Sequence, residues 1–450
     1  MKKSKLLLAI SLAFVMFFAS FSTAFATDYV SGTETSPIKA AVSKILEMPI
    51  GTALPAATFK YTIAPKSVDG NTDTASLATM PALGVNNQVS ITLPAGATEI
   101  TDTTDPNYHP GNVTYYLESQ DIFANLTPAS FPHAGEYIYT ITEVQSSDLD
   151  GLRNVEVTYS PAEYTLTLLV ADRTTTGPGT YIAMLSTQIT TVDNPGQAGG
   201  EKIDPTPGST NSSGHGYSEM VFTNTYVHTN NGGDDPSDPD NPDPGNQQTL
   251  VVSKTVTGSL GDKSKYFSFD MTVTAPALQT GATLPDTYLG YVVDSTSNQI
   301  VTDLTNNAAA ALIGTDNAGN SCIMFTRGAN TTFKLKDGQK LVIINAAVGS
   351  PYNVTEAASD HAPSLIVTTA GTPVTVQSAG SATANSSLNS TNQLVGEPTN
   401  LAAFTNNRDI VTPTGLSMND LPFAGMIVLA LCALAAFIVV SSRKRRIYSH

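Results

Sequence analysis

Much of the chain alternates hydrophobic and polar residues with a period of two, which is typical of β-strands that bury one face in a core. Stretches rich in Gly, Pro, Asn and Ser separate these segments and favour turns. Outside the two ends, no long segment has a helical period, so we expect an all-β fold. The predicted strands are TFKYTIAP, QVSITLP, NVTYYLES, GEYIYTITEV, EYTLTLLVAD, TYIAMLST, TLVVSKTV, YFSFDMTVTA, TYLGYVVD, TTFKLKDG, QKLVIINA, PYNVTEAA, LIVTTAG and LAAFTN.

Three strands in the second half each place one polar residue on an otherwise apolar face. Lys254 aligns with Val252 and Val256 under this alternation, and Glu356 and Asn406 align with hydrophobic residues in the same way. A lysine on an apolar face costs several kcal/mol unless it is paired, neutralised or consumed. The pattern therefore predicts an amine, a carboxylic acid and a carboxamide facing one core.

The same three residue types occur upstream in the same order. Lys44, Glu143 and Asn224 lie in AAVSKILEMP, EYIYTITEV and MVFTNTY, which alternate in the same way and also predict strands. The tripeptides VSK and FTN recur letter for letter around the lysine and the asparagine. Two copies in one order indicate an internal duplication. For either trio alone, a buried Lys–Glu ion pair with Asn as a hydrogen-bond partner is the alternative interpretation.

At these residues the chain resembles the Gram-positive pilins of the streptococcal pilin isopeptide-linker family. The resemblance rests on V-x-K-x-V-x-G, GDKSKYFSF, LKDG, Y-x-V-T-E and FTN, and it spans most of residues 38–410. It implies two tandem Ig-like (CnaB-like) β-sandwiches, in each of which the first-strand lysine bonds to the last-strand asparagine beside a catalytic glutamate. The implied residues are Lys44, Glu143 and Asn224 in the first domain, and Lys254, Glu356 and Asn406 in the second.

The trios and the composition of the segments between them divide the exported chain. We expect a first domain over residues 27–229, a linker over 230–247 and a second domain over 248–410. Four prolines stiffen the linker and five aspartates repel one another, so we expect a solvated spacer that couples the domains weakly rather than a calcium loop. Long Gly-, Pro- and Ser-rich loops in the first domain could carry a binding surface.

The two ends of the chain resemble an export signal and a surface-anchoring signal. Residues 1–26 have the basic, apolar and small-residue regions of a secretory signal peptide. Residues 423–440 form an 18-residue apolar run, long enough to span a bilayer, and the basic segment 443–446 follows closely. The C-terminal region 411–450 therefore resembles a sorting signal with a transient membrane anchor.

A short motif before the apolar run predicts where the chain is cut. VTPTG resembles the signal that sortases cut between threonine and glycine, here Thr414 and Gly415, although it departs from LPxTG at its first two positions. LPFAG, at residues 421–425, is a second candidate that lacks the threonine and overlaps the apolar run.

Charge and cysteine content exclude several classes of protein. The net charge is −16, and residues 27–414 hold 15 Lys and Arg against 37 Asp and Glu, so we expect no binding to nucleic acid. Cys432 lies in the apolar run, which leaves Cys322 without a disulfide partner, and a small buried residue is its simplest interpretation. Hydrolase motifs are absent, and we expect no cofactor and no metal.

Together these features predict a pilus backbone subunit on the surface of a Gram-positive bacterium. Sortase, other pilin subunits and peptidoglycan are the expected partners, and single-turnover bond formation is the only chemistry we expect of the chain itself. The alternative is a non-polymerising wall-anchored adhesin or minor pilin that binds a host or matrix ligand. We expect Lys202, in a Gly- and Pro-rich loop, to accept the next subunit. The competing lysines are Lys39, Lys66, Lys263 and Lys265.

Overall fold

The structure is a computed structural model in which two β-sandwiches follow one another along the chain. The predicted signal peptide, most of the linker and the Thr414–Gly415 bond lie outside the described residues. The structure describes residues 29–152, 155–193, 198–208, 215–230, 250–277, 284–344, 346–369, 372–377, 386–390, 393–397, 400–409 and 421–447.

The first sandwich packs a seven-stranded sheet, in the order β1-β10-β9-β7-β3-β4 with β11 beside β10, on a second sheet. The second sheet has the order β12-β2-β6-β5, with β8 beside β12. A short helix, α1 (Thr74–Leu77), follows β3 and is capped by Asp73. The strands are β1 (Val30–Ser31), β2 (Ser43–Pro49), β3 (Ala57–Val68), β4 (Gln88–Leu93), β5 (Thr98–Glu99), β6 (Asn112–Glu118), β7 (Gly135–Glu143), β8 (Val155–Thr158), β9 (Glu163–Asp172), β10 (Thr180–Thr191), β11 (Lys202–Ile203) and β12 (Val221–Asn230).

The second sandwich packs an eight-stranded sheet, in the order β16-β17-β15-β19-β13-β26-β22-β23, on the sheet β18-β14-β21-β24, in which β25 also pairs with β21. A 3₁₀ helix spans Ala310–Leu312. The strands are β13 (Leu250–Thr257), β14 (Phe267–Val273), β15 (Thr287–Asp294), β16 (Ile313–Thr315), β17 (Ser321–Thr326), β18 (Thr331–Leu335), β19 (Gln339–Ile344), β20 (Ala346–Ala347), β21 (Pro351–Glu356), β22 (Ala362–Thr369), β23 (Thr372–Gln377), β24 (Leu388–Asn389), β25 (Gln393–Leu394) and β26 (Asn400–Asn407).

The expected all-β class with two tandem sandwiches is therefore confirmed. Every predicted strand overlaps an observed one, because alternation fixes which face of a strand can be buried. Several short strands, such as β5, β8 and β16, were not predicted, since two to four residues are too few to show a period.

In both sandwiches the first core strand lies parallel to the last one. β2 pairs with β12 so that Lys44 is opposite Phe222, and β13 pairs with β26 so that Lys254 is opposite Phe404. The asparagine lies two residues beyond each phenylalanine, on the same face of its strand. The register of the first and last strands around the lysine is therefore the same in both domains.

Strand β2 is buried on both faces, whereas an alternating pattern predicts that only one face is buried. Its inner face contributes Leu46 and Met48 to the main core of the first domain. Ile45 on its outer face packs with Ile100 and Tyr217, which belong to segments that cover the sheet from outside. The lysine on β2 thus lies in a strand without access to water.

The two sandwiches contact each other directly, which corrects the expectation of a weakly coupling spacer. The end of β12 pairs antiparallel with β20, so a strand from the second domain extends a sheet of the first. The backbone N–H of Val348 donates to the carbonyl of His228 at 2.9 Å, and the backbone N–H of Ala53 donates to Glu397 Oε1 at 2.8 Å. Main-chain pairing of this kind leaves no signature in the side-chain pattern.

The C-terminal segment forms helix α2 (Leu421–Ile447). Residues 422–442 of this helix are apolar enough to cross a membrane, with a mean hydropathy of 2.9, and none of that segment is buried against the sandwiches. The LPFAG motif forms the beginning of this helix.

Candidate functional site: two buried Lys, Glu and Asn clusters

The three predicted residues of the first domain meet at one carboxylate oxygen. Glu143 Oε1 accepts a hydrogen bond from Lys44 Nζ at 2.8 Å and another from Asn224 Nδ2 at 3.0 Å. The lysine and the asparagine come from the parallel pair β2 and β12, whereas the glutamate ends β7 in the facing sheet. The Lys44 and Glu143 side chains have no exposed surface.

The second domain repeats this arrangement with its own three residues. Glu356 Oε1 accepts from Lys254 Nζ at 3.0 Å and from Asn406 Nδ2 at 2.7 Å. All three residues are at most 1% exposed. Within the described part of the chain, Glu356 Oε2 and Asn406 Oδ1 make no hydrogen bond.

An aromatic pair completes each cluster, and this pair was not predicted. The Phe59 ring lies over Lys44 Nζ at 4.6 Å to the centroid, and Tyr61, two residues on, is opposite Glu143 in the sheet. Aligning the two copies would have found the pair, since TFKY and YFSF both hold two aromatic residues two positions apart.

The second cluster has the equivalent pair. Phe267 lies over Lys254 Nζ at 4.2 Å to the centroid, and Phe269 is opposite Glu356 in the sheet. In both domains one ring therefore covers the amine and the next ring along the strand packs beside the carboxylate.

Burial shifts the pKa values of both lysines and of Glu356 toward their neutral forms. Removal from water lowers the pKa of Lys44, and it lowers the pKa of Lys254 to about 8, although the facing glutamate opposes both shifts. Burial also raises the pKa of the Glu356 carboxyl, with Lys254 acting in the opposite direction. At neutral pH a lysine with a pKa near 8 is about one-tenth free amine, roughly two orders of magnitude more than an exposed lysine.

The two clusters differ in their outer contacts. In the first, the backbone N–H of Ser160 donates to Asn224 Oδ1 at 2.7 Å and to Glu143 Oε2 at 3.1 Å. In the second, the fully buried His361 ring packs edge-on against Phe267, at 5.2 Å between centroids, and its Nδ1 contacts Asp360 at 2.9 Å. Loops outside the alternating strands supply these contacts.

An amine, a carboxyl group and a primary amide in contact can exchange an amide bond. The shared glutamate oxygen contacts both nitrogens, the one that would form the new bond and the one that would leave. In the first cluster the Ser160 N–H donates to the asparagine carbonyl oxygen, while the glutamate contacts the two nitrogens. The carboxylate is therefore placed to move a proton between nitrogens.

Lys202, Lys39 and Cys322 belong to neither cluster. Lys202 is half-buried on β11, where it is opposite Gln188 of β10. Lys39 is exposed just before β2. Cys322 is fully buried on β17, and burial raises the pKa of its thiol. Thr414 and Gly415 lie outside the described residues.

Residues 40–227 match the family described as the Spy0128-like isopeptide-containing domain. The first domain is therefore similar to the isopeptide-containing pilins. A pilin of Streptococcus pyogenes serotype M1 is 28% identical over 184 residues, which cover 41% of this chain and 46% of that pilin. The chain therefore spans about half the length of that relative. The predicted resemblance to pilins is confirmed.

Solved structures of pilins align with most of the chain. The major pilin of Streptococcus pyogenes covers 83% of this chain and 100% of its own length, with 18% identity and a TM-score of 0.31. The major pilin T3.2 of the same organism covers 82% of this chain and 98% of its own, with 16% identity and a TM-score of 0.28. Residues 248–408 match a family described as a domain of unknown function.

Proposed function

We propose that each sandwich forms an intramolecular isopeptide bond, Lys44 to Asn224 in the first and Lys254 to Asn406 in the second. The observation that carries this proposal is the glutamate oxygen that contacts both the amine and the amide nitrogen in each domain. The second domain matches only a family of unknown function, so its chemistry is inferred from this geometry and from the repeated sequence.

The reaction needs no co-reactant. The neutral lysine Nζ attacks the asparagine Cγ, the Cγ–Nζ bond forms, and the Cγ–Nδ2 bond breaks. The glutamate starts in its acid form: it gives a proton to Nδ2, which leaves as ammonia, and it takes a proton from Nζ, which restores the acid. Folding holds the groups in attack geometry, an effective molarity worth about 7 to 11 kcal/mol. Each domain reacts once, so the chain is not a turnover enzyme.

The chain would serve as a pilus subunit on the surface of a Gram-positive bacterium. Sortase would cut between Thr414 and Gly415 and join the threonine carboxyl to a lysine of the next subunit or to peptidoglycan, while residues 423–440 retain the chain in the membrane. The pilin family of the first domain and the apolar C-terminal helix support this role.

The position at which the C-terminal segment leaves the second sandwich suits a head-to-tail polymer. Near the domain junction, Leu250 of β13 pairs with Asn400 at the beginning of β26. At the opposite end, Thr257 pairs with Asn407, from which the chain continues toward Thr414. The C-terminal segment therefore leaves the second sandwich at the pole away from the first sandwich. A lysine on the first domain would place linked subunits end to end.

Pilus ladders in a cell-wall extract of the native host test this role. High-molecular-mass ladders that carry this chain are expected, and Lys202→Arg should collapse them to wall-anchored monomer. Lys39→Arg is the matched control, because Lys39 is an exposed lysine of the same domain. Ladders that persist in Lys202→Arg and vanish in Lys39→Arg would move the acceptor to Lys39. A single band that binds a host or matrix ligand would instead favour a wall-anchored adhesin.

A further inference from the structure

One loop of the first domain crosses over the reactive cluster. β8 lies beside β12 in one sheet and β9 lies in the facing sheet, so residues 159–162 pass between the sheets at the level of Asn224. Pro161 restricts Ser160 to an extended backbone. Ser160 is 1% exposed, so its backbone N–H points into a site without water.

The stronger hydrogen bond of this N–H goes to the amide oxygen of the substrate asparagine. Ser160 N lies 2.7 Å from Asn224 Oδ1 and 3.1 Å from Glu143 Oε2. When the lysine adds to Cγ, Oδ1 becomes the oxyanion of the tetrahedral intermediate. Donors at about 2.7–3.1 Å from such an oxygen, fixed before reaction in a dry site, stabilise the transition state most.

A half-buried carboxylate holds the donor against the acceptor strand. Asp193 Oδ2 accepts hydrogen bonds from the Ser160 hydroxyl and, at 2.9 Å, from the backbone N–H of Thr223. Thr223 immediately precedes Asn224 on β12. Asp193 therefore ties the loop that carries the N–H to the strand that carries the reacting amide, and it is a positioning residue.

The second cluster has no such donor within the described residues. Asn406 Oδ1 makes no hydrogen bond there, while its Nδ2 contacts Glu356. The chain passes from β21 to β22 through residues 357–361, with no strand like β8 between them. The two domains thus share the trio but differ at the oxygen that becomes charged.

We propose that the backbone N–H of Ser160 is a catalytic group of the first domain, which stabilises the oxyanion formed on Asn224 Oδ1 during isopeptide bond formation, with Asp193 as its positioning residue. This inference rests on the bond formation proposed above. It adds an electrostatic contribution that the Lys, Glu and Asn side chains do not supply.

Replacing the Tyr159–Ser160 peptide bond with an ester tests the proposal, because the ester removes the N–H and keeps the serine side chain. The full chain is recovered unfolded, refolded and sampled over time, and loss of ammonia is assigned to each domain by peptide mass mapping. We expect formation of the Lys44–Asn224 bond to slow by about 100- to 1,000-fold. The Lys254–Asn406 bond of the same molecules should form at its usual rate.

Two controls separate catalysis from folding. Ser160→Ala keeps the N–H and loses two hydrogen bonds of the hydroxyl, the one donated to Asp193 and the one accepted from the Ala162 N–H. It should therefore slow the first bond far less than the ester does. In a Glu143→Ala background, which blocks the bond, the ester should leave the melting temperature of the first domain close to that of Glu143→Ala alone. A first bond that forms in the ester variant at the wild-type rate overturns the proposal. If wild-type chains form neither bond, the proposed function fails instead.

Discussion

The Nζ atom of Lys254 lies 4.2 Å from the centroid of the Phe267 ring. This ring has two opposite effects on the lysine. It excludes water, which disfavours the ammonium form, and its π face attracts a cation by about 0.5–2 kcal/mol. Loss of hydration costs an ammonium several kcal/mol, so we expect exclusion of water to dominate and to keep part of the lysine as reactive amine.

Phe267→Ala should therefore slow formation of the second bond, by about tenfold or more, because water reaches the amine and its pKa rises from about 8 toward the exposed value. Phe267→Leu is the matched control, since leucine excludes water without a π face, and it should stay near the wild-type rate. Peptide mass mapping during refolding measures both, with the first-domain bond as internal reference. A faster reaction in Phe267→Leu would show that the π face holds the lysine charged.

Each glutamate should be needed only in its own domain. Glu143→Ala and Glu356→Ala should each retain one ammonia in the folded protein, because the proton carrier is lost. Glu143→Gln and Glu356→Gln keep the shape of the side chain but cannot accept the proton, and we expect them to block the bond as well. Intact mass measures the outcome. Normal bond formation in the glutamine variants would reduce the glutamate to a purely positioning role.

The rate of formation of the second bond should have a bell-shaped pH dependence. The reaction requires a neutral Lys254 and a protonated Glu356 at the same time. This neutral pair holds the same number of protons as the charged Lys254–Glu356 ion pair. On the alkaline side, the pair loses this proton near pH 8, the pKa of Lys254, and the rate should fall. On the acid side, the rate falls as both groups become protonated. A rate that keeps rising above pH 8 would contradict proton donation by the glutamate.

The bond should stabilise each domain by closing a long loop. Asn406→Ala leaves residues 254 to 406 without a cross-link, which lowers the free energy of unfolding by about 5 kcal/mol on the loop-entropy account. For a domain of this size, we expect the melting temperature to fall by about 10–20 °C. Calorimetry should show a much smaller shift for the first domain.

Asn407→Ala is the control for this experiment. Asn407 lies next in the same strand, but its side chain bonds at the surface with Thr257 and Asp409. Its replacement should change the melting temperature by a few degrees at most. Equal losses in Asn406→Ala and Asn407→Ala would show that the stabilisation does not come from a cross-link.

The trio residues could be predicted because each is a side chain on an alternating strand. A lysine in register with two valines indicates a buried amine whatever the fold. The repeated order of Lys, Glu and Asn, with VSK and FTN around the first and the last, assigned three distant strands to one site. The parallel pairing of β2 with β12 and of β13 with β26 then brought residues about 180 and 150 positions apart into contact.

The remaining contacts could not be predicted from the side-chain pattern. Ser160 contributes a backbone N–H, which every residue except proline possesses, and only the crossing loop gives it a role. Asp193 lies beyond the end of β10, where no period constrains it. The pairing of β12 with β20 also uses main-chain groups, so a linker rich in proline and aspartate gave no indication of direct contact between the domains.

The intact mass of folded residues 27–414 tests the central claim most directly. Two isopeptide bonds predict a mass lower than the calculated value by two ammonias, and the double variant Asn224→Ala, Asn406→Ala should show no shortfall from its own calculated mass. A wild-type mass equal to the calculated value would contradict the claim, and each cluster would then be a buried Lys–Glu ion pair with asparagine as a hydrogen-bond partner.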